Sequence, residues 1–236
     1  MLFNPGAGLT TTRFTDRHVC HVMDDALMDP DEWARYAGEH GADFKPLEQR
    51  GYPGICLTPP QRLTQALEQC FSGRLRRLFD ARRILKMHSR LSLVTTPLTS
   101  LMPYQWLCHR DGVTISARES IQASVLYLFK DESLGGTSFY VPARPAAEIA
   151  ALFNDSRTLS VQVFADRYGI EPGYMLGSNA YFTCIGTVPA RWNRMIVYDG
   201  SMLHSGHIAS PDKLSSDPLR GRLSLNGFFT SRRHLV

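Results

Sequence analysis

From Arg83 to Phe229 the chain passes through five short runs in which apolar and polar residues alternate. They are "RILKMHSRLSLVTT" (83–96), "QASVLYLF" (122–129), "TSFYVP" (137–142), "NRMIVYDG" (193–200) and "RLSLNGFF" (222–229). Alternation with period two marks strands that bury one face. The runs are rich in β-branched and aromatic residues, and Gly, Pro, Asp or Ser bounds them. Upstream, "HVCHVMDD" (18–25) predicts a short strand, and "DPDEWARYAGEH" (29–40) predicts a helix with an acidic, proline-containing first turn. Glycines and prolines in "RGYPG" and "TPP" predict a long loop over 41–60. From Pro60 to Asp80, Leu63, Leu67, Cys70, Leu78 and Phe79 recur at helical spacing, which predicts one amphipathic helix packed on a sheet.

Helices early and short strands later predict a mainly β fold with flanking helices, of the α+β class. The expected architecture is a jelly roll of the cupin-like, double-stranded β-helix kind, with N-terminal helices on the major sheet. One domain over 1–236 is expected, since no repeat or linker divides the chain. An N-terminal strand and helices occupy 1–81. The jelly-roll core runs over about 82–230 and is interrupted by a helical insertion, "RPAAEIAALFND" and the residues after it, over about 145–170.

Composition adds little to that picture. A hydrophobic share of 43% and a charged share of 20% are those of an ordinary globular protein. Five cysteines without a CxxC pair argue against a disulfide framework or a zinc knuckle. The N-terminus lacks a secretory pattern, and "SVLYLF" is far too short to cross a bilayer, so a cytoplasmic protein without a membrane partner is expected. The net charge of +4 permits an anionic partner. Five arginines and a lysine crowd "GRLRRLFDARRILK" (73–86) without interleaved aromatics, which reads as a solvated helix face rather than a nucleic-acid surface.

The chemistry centres on "CHRDGV" (108–113). "HRD" also occurs in the protein-kinase catalytic loop, but here Ser116 stands where that loop has Asn, and no DFG follows. On a strand, His109 and Asp111 share one face and can converge on one ion. With a second, distant histidine they make the facial triad of non-haem Fe(II) sites, which leaves coordination positions open. "DGSMLHSGHIAS" offers His204 and His207; three residues apart, they face opposite sides of a regular strand. His204 is preferred because it ends a strand-like stretch after the "DG" turn. Trp106, three residues before His109, is a candidate wall of a substrate pocket.

The order His109-Arg110-Asp111, His204, Arg222-Leu223-Ser224 resembles the HxD…H…RxS pattern of the Fe(II)/2-oxoglutarate-dependent oxygenases, in their prolyl-4-hydroxylase-like branch. The resemblance covers about 85–230 and, more loosely, "HVCHVMDDALMDPDEW". It implies that His109, Asp111 and His204 hold Fe(II), and that Arg222 grips the distal carboxylate of 2-oxoglutarate. Tyr127, in "VLYL", would assist there, and "LGGTSFYVP" (134–142) matches the family's Gly-Gly hairpin. A guanidinium fork suits bidentate carboxylate binding, and Ser224 shares the strand face of Arg222. Arg220 has the same parity but no hydroxyl two residues on. The implied reaction uses O2 and hydroxylates a small-molecule, amino-acid or peptidyl substrate, with release of succinate and CO2. Eighteen residues separate His204 from Arg222, longer than the family's usual spacing, so "HIASPDKLSSDPLRG" must loop out at the site's rim. Two other readings stand beside this one: a cupin-type metalloprotein that does not use 2-oxoglutarate, and a basic nucleic-acid-binding module.

Overall fold

The alternating runs fold into two antiparallel sheets with helices outside them. The computed structural model describes residues 1–47, 51–112 and 118–233, so residues 48–50 of the expected 41–60 loop lie outside it. The elements, in chain order, are strands β1 (Leu9–Arg13) and β2 (Val19–Met23), helix α1 (Pro30–Glu39), strands β3 (Lys45–Pro46) and β4 (Gly54–Leu57), and helix α2 (Gln61–Cys70). Strands β5 (Ala81–Val94), β6 (Glu119–Tyr127) and β7 (Thr137–Pro142) follow, then helices α3 (Ala146–Thr158) and α4 (Val161–Tyr168). The chain closes with β8 (Phe182–Val188), β9 (Met195–Asp199), β10 (Leu203–Gly206) and β11 (Arg222–Arg233). The larger sheet has the order β1-β2-β9-β6-β11-β5-β4-β3, and the smaller has β10-β7-β8.

Side-chain parity sorts the layers. Leu223, Leu225 and Phe229 of β11 and Leu91 and Leu93 of β5 are buried against Trp33, Leu63, Leu67 and Phe71 from the N-terminal helices. Between those positions, β11 turns Arg222, Ser224, Asn226 and Phe228 the other way, opposite Val94, Ser92, Arg90 and His88 of β5. On that inner face, Tyr127, Ile196 and Tyr198 of the larger sheet pack with Phe139 of the smaller one. Beyond the smaller sheet, the insertion helices bury Ile149, Leu152 and Phe164 against Tyr140, Phe182 and Leu203. The helical insertion thus supplies an outer layer, built from α3 and α4.

The helix ends follow from local chemistry. Asp29 caps α1, its carboxylate accepting from Glu32 N–H at 3.0 Å, and Pro30 opens the first turn where no N–H is needed. The single helix expected over 60–80 stops at Cys70; a wide π turn (Phe71–Leu75) and tight 3-10 turns (Arg76–Phe79) replace its second half. The π turn rotates the apolar face, so Phe71 and Leu75 are buried while Leu78 is 44% exposed. Arg74 swings onto the carbonyls of Asn4 and Ala7, and Arg76 onto that of Ser72. Two of the clustered arginines are therefore structural ties rather than a solvated face. No helix among the described residues is long and apolar enough to cross a membrane.

The helix-to-sheet layer turns on Phe71, fully buried with its ring stacked on Phe229 at 4.0 Å and 8°. Phe71→Ala is expected to cost about 3–5 kcal/mol. Urea denaturation should show the midpoint falling with the slope unchanged. A loss below about 1 kcal/mol would mean that the layer rests on other contacts.

Candidate metal centre

Two backbone hydrogen bonds create the site. His109 N–H donates to His204 carbonyl and His204 N–H donates to His109 carbonyl, both at 2.9 Å. This isolated antiparallel bridge is the only ladder contact between the 107–112 segment and β10 among the described residues. Two residues on, Asp111 N–H donates to Gly200 carbonyl at 2.9 Å, and Gly200 N–H donates to Ile121 carbonyl at 2.8 Å. A side chain at Gly200 would press on Ile121 and on the Cβ of Asp111, which accounts for the glycine after Asp199.

The result is a three-residue cluster. One ligand atom each from His109, Asp111 and His204 lies within 4.8 Å of the others. His204 Nε2 stands 3.3 Å from Asp111 Oδ2, and His109 Nε2 stands 3.8 Å from Asp111 Oδ1. The His204 ring is fixed from behind, its Nδ1 being 2.9 Å from Met202 carbonyl. A carbonyl only accepts, so Nδ1 carries the hydrogen and Nε2 faces the cluster. Tyr198 hydroxyl donates to Asp111 Oδ2 at 3.3 Å, and the Tyr198 ring packs 4.7 Å from His204.

Charge and burial shape the protonation of this cluster. Burial pulls the His204 pKa down, but the Asp111 carboxylate and its hydrogen bond, with the Met202 carbonyl, outweigh it and hold the imidazole above its usual value. Burial would raise Asp111, yet His204 and then His109 hold it below the usual carboxylate range. Enclosure, then His204, depress His109 to about 4. His109 nevertheless presents 58% of its side chain to solvent at the mouth, so the neighbouring charge is the firmer cause of that fall. The cluster is thus an Asp111 carboxylate paired with His204, with His109 beside it.

The other residues singled out in the sequence fall into two groups. Tyr127, Arg222 and Ser224 stand together on the inner face, Ser224 directly opposite Tyr127. Arg222 is buried with its guanidinium 5.9 Å from the Tyr127 ring, but its Nε donates to Leu134 and Gly135 carbonyls and its Nη2 to Gly136 carbonyl at 2.7 Å. Nη1 has no hydrogen bond among the described residues. The Gly135-Gly136 hairpin makes this approach possible: Gly135 has φ +82°, and a side chain there would collide with His207 carbonyl. Tyr127 hydroxyl is hydrogen-bonded to Thr137 Oγ1 at 2.8 Å, and burial pushes its pKa up to about 12.

His207 and Trp106 lie elsewhere. His207 Nδ1 meets Ser138 Oγ at 2.9 Å, away from the three-residue cluster. Trp106 is not a pocket wall: it is 2% exposed, packs on Phe164 in the core under the insertion helices, and donates its indole N–H to Leu101 carbonyl. A groove of about 670 Å³ runs along Phe129, Trp192 and Leu214, but it includes none of the cluster residues.

Sequence reasoning missed Tyr198, His88 and Arg90. Tyr198 and Arg90 sit at inward parity, and the pattern that shows it is a polar or aromatic residue alternating with buried Leu, Ile or Val. His88 stacks on Phe228 at 4.7 Å between ring centres.

Comparison with known proteins bears on the fold. The fold is shared with a prolyl-4-hydroxylase from Pseudomonas putida, at a TM-score of 0.51 and 15% identity, covering 93% of this chain and 95% of that one. It is shared equally with HygX from Streptomyces hygroscopicus, solved with nickel, 2-oxoglutarate and hygromycin B, at a TM-score of 0.50 and 12% identity, covering 90% and 82%. No curated protein sequence matches at a significant level. The profile of a family of unknown function, DUF6445, matches residues 5–229, and with nearly the whole described fold inside that span, the chain belongs to this family.

Proposed function

We propose that the protein is an Fe(II)- and 2-oxoglutarate-dependent oxygenase that hydroxylates a small-molecule, amino-acid or peptidyl substrate, with release of succinate and CO2. The observation that carries this reading is the His109–Asp111–His204 cluster on the inner face, with buried Arg222 farther along that face. Two imidazoles and one carboxylate suit a divalent first-row ion and leave positions open for a chelating cosubstrate and O2. The donor set fits the ion in a further respect: His204 is already oriented by Met202, and Asp111 is already ionised. The paired sheets are the two walls of a double-stranded β-helix. HygX, which has the same fold, is described with nickel and 2-oxoglutarate, which supports carrying this cofactor set to the present chain.

Bound iron with 2-oxoglutarate supplies the oxidising chemistry. The chain's own residues bind, orient and exclude water. Asp111 contributes the negative charge that offsets part of the metal's. Tyr198 keeps the carboxylate oriented through its hydroxyl, and Phe139 and Tyr198 wall the His204 side against solvent. Arg222, with Ser224 and Tyr127 beside it, would receive the distal carboxylate through Nη1. Its other donors on the glycine hairpin fix the fork in advance.

One observation favours a second reading, a cupin-type metalloprotein that does not use 2-oxoglutarate: three carbonyls already occupy the Arg222 fork. Saturable 2-oxoglutarate binding separates the two.

Two outcomes are expected. Calorimetric titration with Mn(II) should give one site per chain, weakened about a hundredfold or more in His204→Ala and little changed in His207→Ala. Only neutral His204 can ligate, and its pKa is raised, so affinity should be full above that pKa. Below it, affinity should fall about tenfold per pH unit. If His207→Ala loses the ion while His204→Ala keeps it, the ligand assignment is wrong.

On the Mn(II)-loaded protein, Arg222→Gln should cost about 2–5 kcal/mol of 2-oxoglutarate affinity. Arg220→Gln should leave that affinity within error. Equal binding by the wild type and the Arg222 variant would remove Arg222 from the cosubstrate site.

A further inference from the structure

A second guanidinium faces the same interior, and among the described residues no carboxylate forms an ion pair with it. Arg90 on β5 stands directly opposite Asn226 on β11, at the inward parity shared with His88 and Ser92. Its guanidinium carbon is 5.2 Å from the Tyr52 ring centre and 4.9 Å from that of Phe228. Two aromatic faces therefore clamp it and leave its edge to bind. Its Nε is buried without a hydrogen-bond partner, and none of the ion pairs among the described residues includes it.

The neighbours repeat the pattern. Among the described residues the Tyr52 hydroxyl is buried with no partner at hydrogen-bond geometry, while Asn226, opposite Arg90, donates from Nδ2 to Ser92 Oγ at 3.2 Å. Buried polar atoms are rarely left unpaired, so two donors on touching residues, Arg90 Nε and the Tyr52 hydroxyl, point to a missing acceptor. The place adjoins the metal centre. Phe228 pairs with Ala123, Ala123 pairs with Tyr198, and Tyr198 donates to Asp111.

We infer that Arg90, with Tyr52, forms a subsite for a carboxylate carried by the substrate. The assignment to substrate rests on the oxygenase reading. There, a divalent ion and Arg222 balance Asp111 and both carboxylates of 2-oxoglutarate, and Arg90 is the positive charge left over. The ligand is a carboxylate rather than a phosphate, because one clamped planar fork flanked by a neutral phenol matches two coplanar oxygens and a single charge. The substrates this selects are organic acids, free amino acids and peptides with an accessible carboxylate.

The test uses 4-fluorobenzoate as probe, followed by 19F NMR, on the full chain both metal-free and loaded with Zn(II) and 2-oxoglutarate. Arg90→Gln should raise the probe's dissociation constant at least about tenfold, and Arg90→Lys should recover part of that loss. Tyr52→Phe should weaken the probe by a smaller factor. The 2-oxoglutarate affinity of all three variants should stay within about twofold of wild type. Unchanged probe binding in Arg90→Gln would overturn the subsite. A loss of 2-oxoglutarate affinity matching that of Arg222→Gln would overturn its assignment to substrate. Arg90-dependent probe binding by a wild type that does not bind 2-oxoglutarate would uphold the carboxylate subsite and remove the oxygenase reading instead.

Discussion

The site depends on the reciprocal backbone pair between His109 and His204. These two hydrogen bonds, each 2.9 Å, join the 107–112 segment to β10 and bring together side chains 95 residues apart in the chain. Once they form, strand parity does the rest: Asp111 lies two residues along and turns to the same side as His109. The Gly200 carbonyl then fixes Asp111 and the Met202 carbonyl fixes the His204 ring. The backbone of all three residues is thus fixed by main-chain groups, the His204 ring by the Met202 carbonyl, and the Asp111 carboxylate by the Tyr198 hydroxyl.

That arrangement places charge where a folded chain does not readily hold it. Asp111, Arg222 and Arg90 all face the space between the sheets. Asp111 is compensated within its cluster, and Arg222 by three carbonyls of the glycine hairpin. Among the described residues, Arg90 has only the faces of Tyr52 and Phe228. The opposite side of the same strands is apolar, with Phe71, Leu67 and Leu63 packed on Leu225 and Phe229. Stability and chemistry are thus divided between the two faces of one sheet, and the helix-covered face offsets what the polar face costs.

Much of this was legible in the chain, because period-two alternation reports which way a side chain points. The five alternating runs became β5, β6, β7, β9 and β11, and His109, Asp111 and His204 come together in space as their shared parity requires. Illegible were the elements whose signal is not alternation. β1 is a polar edge strand, "LTTTR", largely exposed on both faces. β8 is kinked at Gly186, where its register shifts against β7. The helix expected over 60–80 gave way to a π turn after Cys70, since apolar spacing does not record a local change in residues per turn. Trp106 was misread because proximity in sequence to His109 says nothing about which side of the smaller sheet a large ring packs on. Arg90 went unremarked for want of a motif; its meaning lies in the partners it lacks.

The central claim is that these three side chains hold one Fe(II) that 2-oxoglutarate then chelates. Anaerobic visible spectroscopy tests it most directly. Adding 2-oxoglutarate to the Fe(II)-loaded protein should produce a metal-to-ligand charge-transfer band that saturates at one equivalent per chain. The band should be absent from the Asp111→Ala protein, with its fold verified by circular dichroism. A wild-type protein that binds Fe(II) but develops no band at saturating 2-oxoglutarate would contradict the account.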